Sequence, residues 1–174
     1  MATHFYTSSS LDGFIATSDH SLEWLFRHDI DPDGPMSTTA FFETIGALVM
    51  GASNYEWLLR NHEGWAYEIP VWVLTHRDLS IPDGADVRLV QGDVRLLFPE
   101  IEASAGSKDI WVTGGGGVAS QFADAGLLDE LWVQFAPVTL GSGQPLFPSR
   151  ADLELIEVDR NRDFVCTRYR VIST

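Results

Sequence analysis

Ala47-Leu48-Val49-Met50-Gly51 is an uninterrupted apolar run without polar alternation, and a strand of that kind is stable only when both of its faces are covered. Val71-Trp72-Val73-Leu74-Thr75 and Ile110-Trp111-Val112-Thr113 repeat the pattern. The first run leads through Gly51 into Ser53-Asn54-Tyr55-Glu56-Trp57-Leu58-Leu59, which reads as a helix start and body. The third leads through four glycines into a helix that passes Gln121-Phe122-Ala123 and ends at Gly126. Val87-Arg88-Leu89-Val90 is a further strand, followed after Gly92-Asp93 by a helical stretch with Val94, Leu97 and Ile101 on one face. This alternation predicts an α/β fold, a largely parallel sheet with helices on both faces.

The remaining segments complete the sheet. His4-Phe5-Tyr6-Thr7-Ser8 reads as a short first strand that runs into the turn signal Ser9-Ser10-Leu11-Asp12-Gly13, ahead of the apolar Phe14-Ile15-Ala16. Residues 29–35 hold three Asp, two Pro and one Gly, the composition of a surface loop. Ser37 or Thr38 is expected to cap a helix that carries Phe41, Phe42 and Ile45 and stops at Gly46. From residue 130 the pattern changes to period 2. An alternating strand over 130–137 precedes the glycine-rich Leu140-Gly141-Ser142-Gly143-Gln144-Pro145, and 153–158 with 164–171 form a hairpin that closes one edge. Trp132, Val133 and Phe135 beside Tyr169 read as an exposed edge to which a second copy can pair.

Composition bounds the partners. At 174 residues and 45% hydrophobic content the chain supports one sizeable core, so residues 1–174 are expected to form a single domain. Eleven Lys and Arg against 25 Asp and Glu give a formal charge of −14, which disfavours nucleic acid and anionic membranes. Any anionic ligand must therefore be held by local donors, either backbone N–H groups at a helix start or a few well-placed Arg. Cys166 is the one cysteine, so neither an intrachain disulfide nor a cysteine zinc site is possible. His4, His20, His28, His62 and His76 show no HxxxH or HExxH spacing, and no metal is expected. The N-terminus lacks a basic segment followed by an apolar one, so the expected location is cytoplasmic.

The strongest local signal for chemistry is Ile110-Trp111-Val112-Thr113-Gly114-Gly115-Gly116-Gly117-Val118, glycines set between a buried strand and a helix. Backbone without Cβ atoms can approach a ligand closely, and the first free N–H groups of the helix point at an anion placed there. A diphosphate suits this arrangement; the alternative is a tight connection whose glycines only permit positive φ. The run lacks the Gly-Lys-Ser/Thr ending of a Walker sequence. It also departs from GxGxxG, because Ser120 or Gln121 stands where the third glycine should fall. Two further junctions, Met50-Gly51-Ala52-Ser53-Asn54-Tyr55-Glu56 and Leu74-Thr75-His76-Arg77, follow buried strands in the same way. In a parallel sheet all three can converge at the carboxyl edge on one extended ligand.

These junctions occur in the order and spacing of a known family. The quoted segments, with Ser10-Leu11-Asp12-Gly13-Phe14-Ile15-Ala16, Ala125-Gly126-Leu127-Leu128-Asp129-Glu130-Leu131 and Ala136-Pro137-Val138-Thr139-Leu140-Gly141-Ser142-Gly143-Gln144-Pro145-Leu146-Phe147, resemble the dihydrofolate-reductase-like family. The similar branch is the one related to the reductase domain of the bifunctional riboflavin-biosynthesis deaminase-reductase, and the likeness covers nearly the whole chain. It implies a three-layer α/β/α sandwich with a mixed, mostly parallel sheet, NADPH as cofactor, hydride transfer to a small heterocycle, and a homodimer. Position by position, the resemblance sets Gly114, Gly115, Gly116 and Gly117 with Val118 and Ala119 at the diphosphate. It sets Gly51, Ala52, Ser53 and Asn54 at the diphosphate and ribose from the other side, Thr75, His76 and Arg77 at the adenosine 2′-phosphate, and Ile15 and Ala16 against the nicotinamide. A 2′-phosphate on so acidic a protein needs a guanidinium, which agrees with Arg77.

The departures concern the substrate. Tyr6 stands where the riboflavin reductases carry a lysine, and Thr113 where they commonly carry a glutamate, so both face the substrate by position without its charged contacts. Leu22-Glu23-Trp24-Leu25 resembles the stand-alone relatives better, and Trp24 falls about where dihydrofolate reductases keep a tryptophan beside the substrate; the alternative for Trp24 is a core aromatic. Three carboxylates are candidates for proton delivery: Asp29, which has the spacing but lies in the 29–35 loop, Glu43 on the next helix, and Asp12, which can instead fix its loop by accepting backbone N–H bonds. Two activities remain open, an NADPH-dependent reductase of pyrimidine or pterin type and a non-catalytic NADP(H)-binding module of the same fold.

Overall fold

The computed structural model describes residues 1–172. The chain opens with β1 (Thr3–Ser10) and β2 (Phe14–Ala16), then a 3₁₀ turn at Leu25–Arg27 and the short helix α1 (Thr38–Glu43). β3 (Ile45–Gly51), α2 (Ala52–Asn61), β4 (Val71–Leu74), β5 (Val87–Val90), α3 (Val94–Ala105), β6 (Asp109–Gly114) and α4 (Gly116–Asp124) follow. β7 (Glu130–Ala136), β8 (Gln144–Pro145), β9 (Asp152–Asn161) and β10 (Phe164–Ile172) complete it. Eight strands make one sheet in the order β5-β4-β3-β6-β1-β7-β10-β9, and β2 pairs with β8 in a separate ribbon. Pairing is parallel from β5 to β7 and antiparallel for β7/β10 and β10/β9. The fold is therefore the expected mixed sheet, mostly parallel, with an antiparallel C-terminal hairpin.

The apolar runs fold this way because successive side chains enter opposite layers. Phe5, Val49, Trp72 and Val112 pack with Ile101 of α3 and Val118 and Phe122 of α4. Their neighbours Tyr6, Leu48, Met50, Val71 and Val73 pack on the other face with Phe41 of α1 and Tyr55 and Leu58 of α2. Each fully buried Leu, Ile or Phe among them contributes about 1.5–3 kcal/mol.

Connectivity sets where a ligand can sit. β3 and β6 are neighbours, but α2 leaves β3 toward one layer and α4 leaves β6 toward the other. A crevice opens where adjacent parallel strands send their helices to opposite faces, at the carboxyl ends. Both glycine junctions read from the sequence meet there.

Three expectations need correction. The helix over Phe41 and Phe42 ends at Glu43, and Ile45 instead opens β3. Thr44 closes the helix by donating its N–H and its hydroxyl to the Phe41 carbonyl, at 3.1 and 2.8 Å, while the Thr44 carbonyl accepts from Asp109 of β6. Gly46 is no helix stop: a Cβ there would run into the Ala105 carbonyl at the end of α3. The glycine run is also hardly a loop, since β6 extends to Gly114 and α4 begins at Gly116, which leaves Gly115 alone between them. Finally, β7 is interior, paired with β1 and β10, so Trp132, Val133 and Phe135 do not form an edge; β9 does. Among the described residues no helix is long and apolar enough to cross a membrane.

Candidate functional site

The Leu-Asp-Gly turn after β1 is locked to the glycine-rich turn before β8. The Asp12 carboxylate accepts from the Ser10 hydroxyl at 2.6 Å and from the Leu140 and Gly141 N–H groups at 3.0 and 2.7 Å. These donors, Ser10 foremost, hold its pKa at about 2. The Leu146 N–H donates to the Gly13 carbonyl at 2.8 Å, and β2 and β8 pair beside it. Asp12 therefore fixes the loop, the second of its two readings, and is saturated in that role.

That ribbon lies against the start of α4. A Cβ on Gly116 would run into the carbonyl oxygens of Leu146 and Pro145, so only glycine allows the approach. Ile15 of β2 puts its Cδ1 3.7 Å from where a Cβ of Gly115 would stand. Across the crevice, Asn54 Nδ2 donates to Thr113 Oγ1 at 3.0 Å, and Val118 Cγ2 lies 3.3 Å from the Cβ position of Gly51. The structure thus brings together Ile15, Gly51, Asn54, Thr113 and the glycine run, as their order in the sequence implied.

The two helix starts share a property that α1 and α3 lack. Ser37 caps α1 and Asp93 caps α3 through their side chains, whereas α2 and α4 start at Gly51 and Gly115 with no side-chain cap. At α4 the Val118 and Ala119 N–H groups already donate to the Gly115 carbonyl, at 3.0 and 3.3 Å. Both side chains are buried in the core, so Val118 and Ala119 leave the set of ligand donors. The Gly116 and Gly117 N–H groups have no acceptor among the described residues. They are the open donors, at the positive end of a nine-residue helix.

At the far corner, the Thr75 N–H pairs with the Val90 carbonyl and Thr75 Oγ1 accepts the Arg77 N–H at 2.9 Å. His76 Nδ1 sits 3.2 Å from Gln91 Oε1, a surface contact. Arg77 is half exposed and donates to Glu56 of α2.

The substrate-facing expectations fare differently. Tyr6 is 2% exposed, and its hydroxyl donates to the Met36 carbonyl and accepts from Gln134 Nε2, both at 2.6 Å. Burial, more than the Cys166 thiol beside it, raises its pKa, so it stays protonated and serves the core. The Thr113 hydroxyl is spent between Asn54 and the Val49 carbonyl. Trp24 packs with Ala136, Phe164 and Cys166 in a cluster that contains none of the glycine run, the core reading of that residue. Asp29 is exposed and ion-paired with Arg162 at 2.7 Å, and Glu43 is exposed beside the opposite, amino end of the sheet, where β3 begins.

A cleft of about 470 Å³ at that amino end is lined by His4, Asp109, Trp132 and Arg168. The charges of Arg168 and Glu130 there are already paired. Arg168 forks onto Glu130 at 2.9 and 2.8 Å, and His4 lies 3.2 Å from both Asp109 and Glu130. Burial opposes ionisation of Glu130, but Arg168, the Trp132 N–H and His4 outweigh it, and its pKa falls below the ordinary value. The backbone N–H groups left open at the start of α4 lie at the crevice, at the other end of the sheet.

Sequence reading missed the carbonyls of Pro145 and Leu146 over Gly116, the Asn54 bridge to Thr113, and Glu56. Each is a contact between segments distant in the chain, and only Gly-Gln-Pro-Leu-Phe, as a rigid stretch after a turn, hinted at the first.

Comparison with known proteins gives the family and agrees with the fold. The model of the RibD C-terminal domain family matches residues 4–166. The uncharacterized protein YwjB of Bacillus subtilis (strain 168) is 30% identical over 146 residues, covering 83% of this chain and 82% of that protein. A protein of Shewanella sp. PV-4, provisionally assigned to riboflavin biosynthesis, superposes with a TM-score of 0.85 and 28% identity over 99% of both chains. The dihydrofolate reductase of Enterococcus faecalis, solved with NADP(H) and RAB-propyl, shares the fold at a TM-score of 0.59 and 17% identity, covering 98% of this chain and 96% of that one. With its dihydrofolate-reductase-like sheet and a family match over nearly its full length, the chain belongs to the RibD C-terminal domain family.

Proposed function

We propose that this chain is a cytoplasmic NADPH-dependent reductase that passes a hydride to a small heterocycle of pyrimidine or pterin type. The observation that carries the reading is the crevice between β3 and β6, onto which two helix starts open without side-chain caps and where Gly116 and Gly117 hold free N–H groups. The donor set fits a dinucleotide: backbone N–H groups for a diphosphate, Arg77 for a 2′-phosphate, and the apolar Ile15 over Gly115 for a flat ring. The Enterococcus faecalis enzyme of the same fold holds NADP(H), which supports the assignment.

When bound, the dinucleotide supplies the hydride. The protein's part is to orient and to exclude water. Gly116 and Gly117 face the diphosphate, Asn54 ties the β3 and β6 junctions into one rigid floor, and the Asp12 clamp holds β2 and its Ile15 in place. None of Asp12, Asp29 and Glu43 is placed to deliver the accompanying proton, an observation that favours, as a second reading, an NADP(H)-binding module without turnover. Substrate-dependent oxidation of NADPH, screened over pterins and aminopyrimidines, decides between the two. Turnover with any of them supports the reductase, and tight NADPH binding without turnover supports the module.

We also assign the homodimer to the hairpin. Leu153, Leu155 and Val158 of β9 and Val165 of β10 share one sheet face, 40–60% exposed, continuing the α4 layer beyond its helix. Light scattering of Val158→Lys reads monomer if a second copy covers that face, and an unchanged mass rejects the assignment.

A further inference from the structure

Arg77 Nη1 donates to Glu56 Oε1 at 3.0 Å, with the two side chains 52% and 30% exposed. The Arg77 backbone is fixed by Thr75 Oγ1, so its guanidinium is presented from a built turn and not from a free loop. Glu56 stands on α2, the helix whose start faces the crevice, and reaches Arg77 just after β4. A carboxylate is thus already seated on the guanidinium that closes the adenosine end of the site.

We propose that Glu56 sets the choice of cofactor: paired with Arg77, it places a like charge beside the position a 2′-phosphate would take, holding the preference for NADPH over NADH to a small factor. The inference rests on the dinucleotide reading of the crevice. A phosphate monoester carries about −1.5 to −2 charges at neutral pH and binds arginine best through two parallel N–H donors. Glu56 holds one Nη1 donor, so a phosphate either displaces the carboxylate or takes the open Nε/Nη2 edge beside a like charge. The formal charge of −14 adds to that repulsion. An exposed pair is weak enough to yield, so Glu56 attenuates binding and does not abolish it. A nucleotide without the 2′-phosphate leaves the pair undisturbed.

The test is a tryptophan-fluorescence titration of wild type, Glu56→Gln, Arg77→Ala and the double variant with NADPH and NADH, at low salt and at about 0.5 M salt. Glutamine keeps the size and the helix while removing the charge. Glu56→Gln is expected to tighten NADPH by about three- to tenfold at low salt and to leave NADH within about twofold. The gain shrinks at high salt and in the Arg77→Ala background. If wild type binds both nucleotides and Glu56→Gln leaves their ratio unchanged, or shifts both alike, the role of Glu56 is overturned. If neither nucleotide binds wild type, the dinucleotide reading itself fails and takes the inference with it.

Discussion

The four helices divide into two pairs that start differently. α1 and α3 begin at Ser37 and Asp93, whose side chains accept from Ala40 and Arg95 N–H groups at 3.5 and 2.9 Å. α2 and α4 begin at glycine, with nothing of their own to accept those bonds. A start with glycine at the cap position forgoes about a few tenths of a kcal/mol relative to one capped by Ser or Asp. The pair that bears this cost is the pair at the carboxyl ends of β3 and β6, where the helices leave toward opposite faces of the sheet. Within the described residues, no side chain supplies the cap at these two starts.

Substitutions at the two kinds of start separate stability from binding. Gly116→Val strikes both, because its side chain must displace the backbone carbonyls of Pro145 and Leu146. It should destabilise the fold by about 3 kcal/mol and abolish nucleotide binding, read by thermal unfolding and fluorescence titration. Asp93→Ala should cost about 1 kcal/mol of stability and leave nucleotide affinity unchanged. Ser37→Ala, which removes a longer bond on a six-residue helix, should lower stability by about 0.5 kcal/mol, again with affinity untouched. A loss of affinity in either capped-helix variant would erase the distinction drawn here.

The smallest effect is one of pH. Asp12 has a folded pKa near 2, below its ordinary value of 3.8, so its clamp is fully present above about pH 4 and is lost as pH falls toward 2. Amide exchange at Leu140 and Gly141 should rise across that window relative to the rest of the chain. In Asp12→Asn it should be raised already at neutral pH, without the acid transition.

Much of this could be read from the residues. Uninterrupted apolar runs such as 47–51 identify strands buried on both faces, because five residues bounded by glycine are too short for a buried helix, and their order gave the parallel sheet. The four glycines and Gly51 marked the crevice, since close backbone approach needs glycine wherever it occurs. Period alone could not say which strands neighbour each other. The alternation of 130–136 is that of any half-buried strand, and its place between β1 and β10 depends on pairings with residues far away in the chain. Nor does the position of Tyr6, Thr113 or Trp24 in a motif reveal that hydroxyls and indole are already engaged by Met36, Gln134, Asn54 and Phe164. The same blindness hid the pairing of Arg77 with Glu56, residues on different elements.

The central claim is that the open start of α4 is kept for an anion. Gly117 is exposed, with nothing within 4 Å of where its Cβ would stand, so Gly117→Asp places a carboxylate at that start without a clash. The acid should stabilise the helix by about 0.3–1 kcal/mol, and NADPH affinity should fall at least about tenfold, while Gly117→Ala retains it. Undiminished NADPH binding by Gly117→Asp would contradict the account.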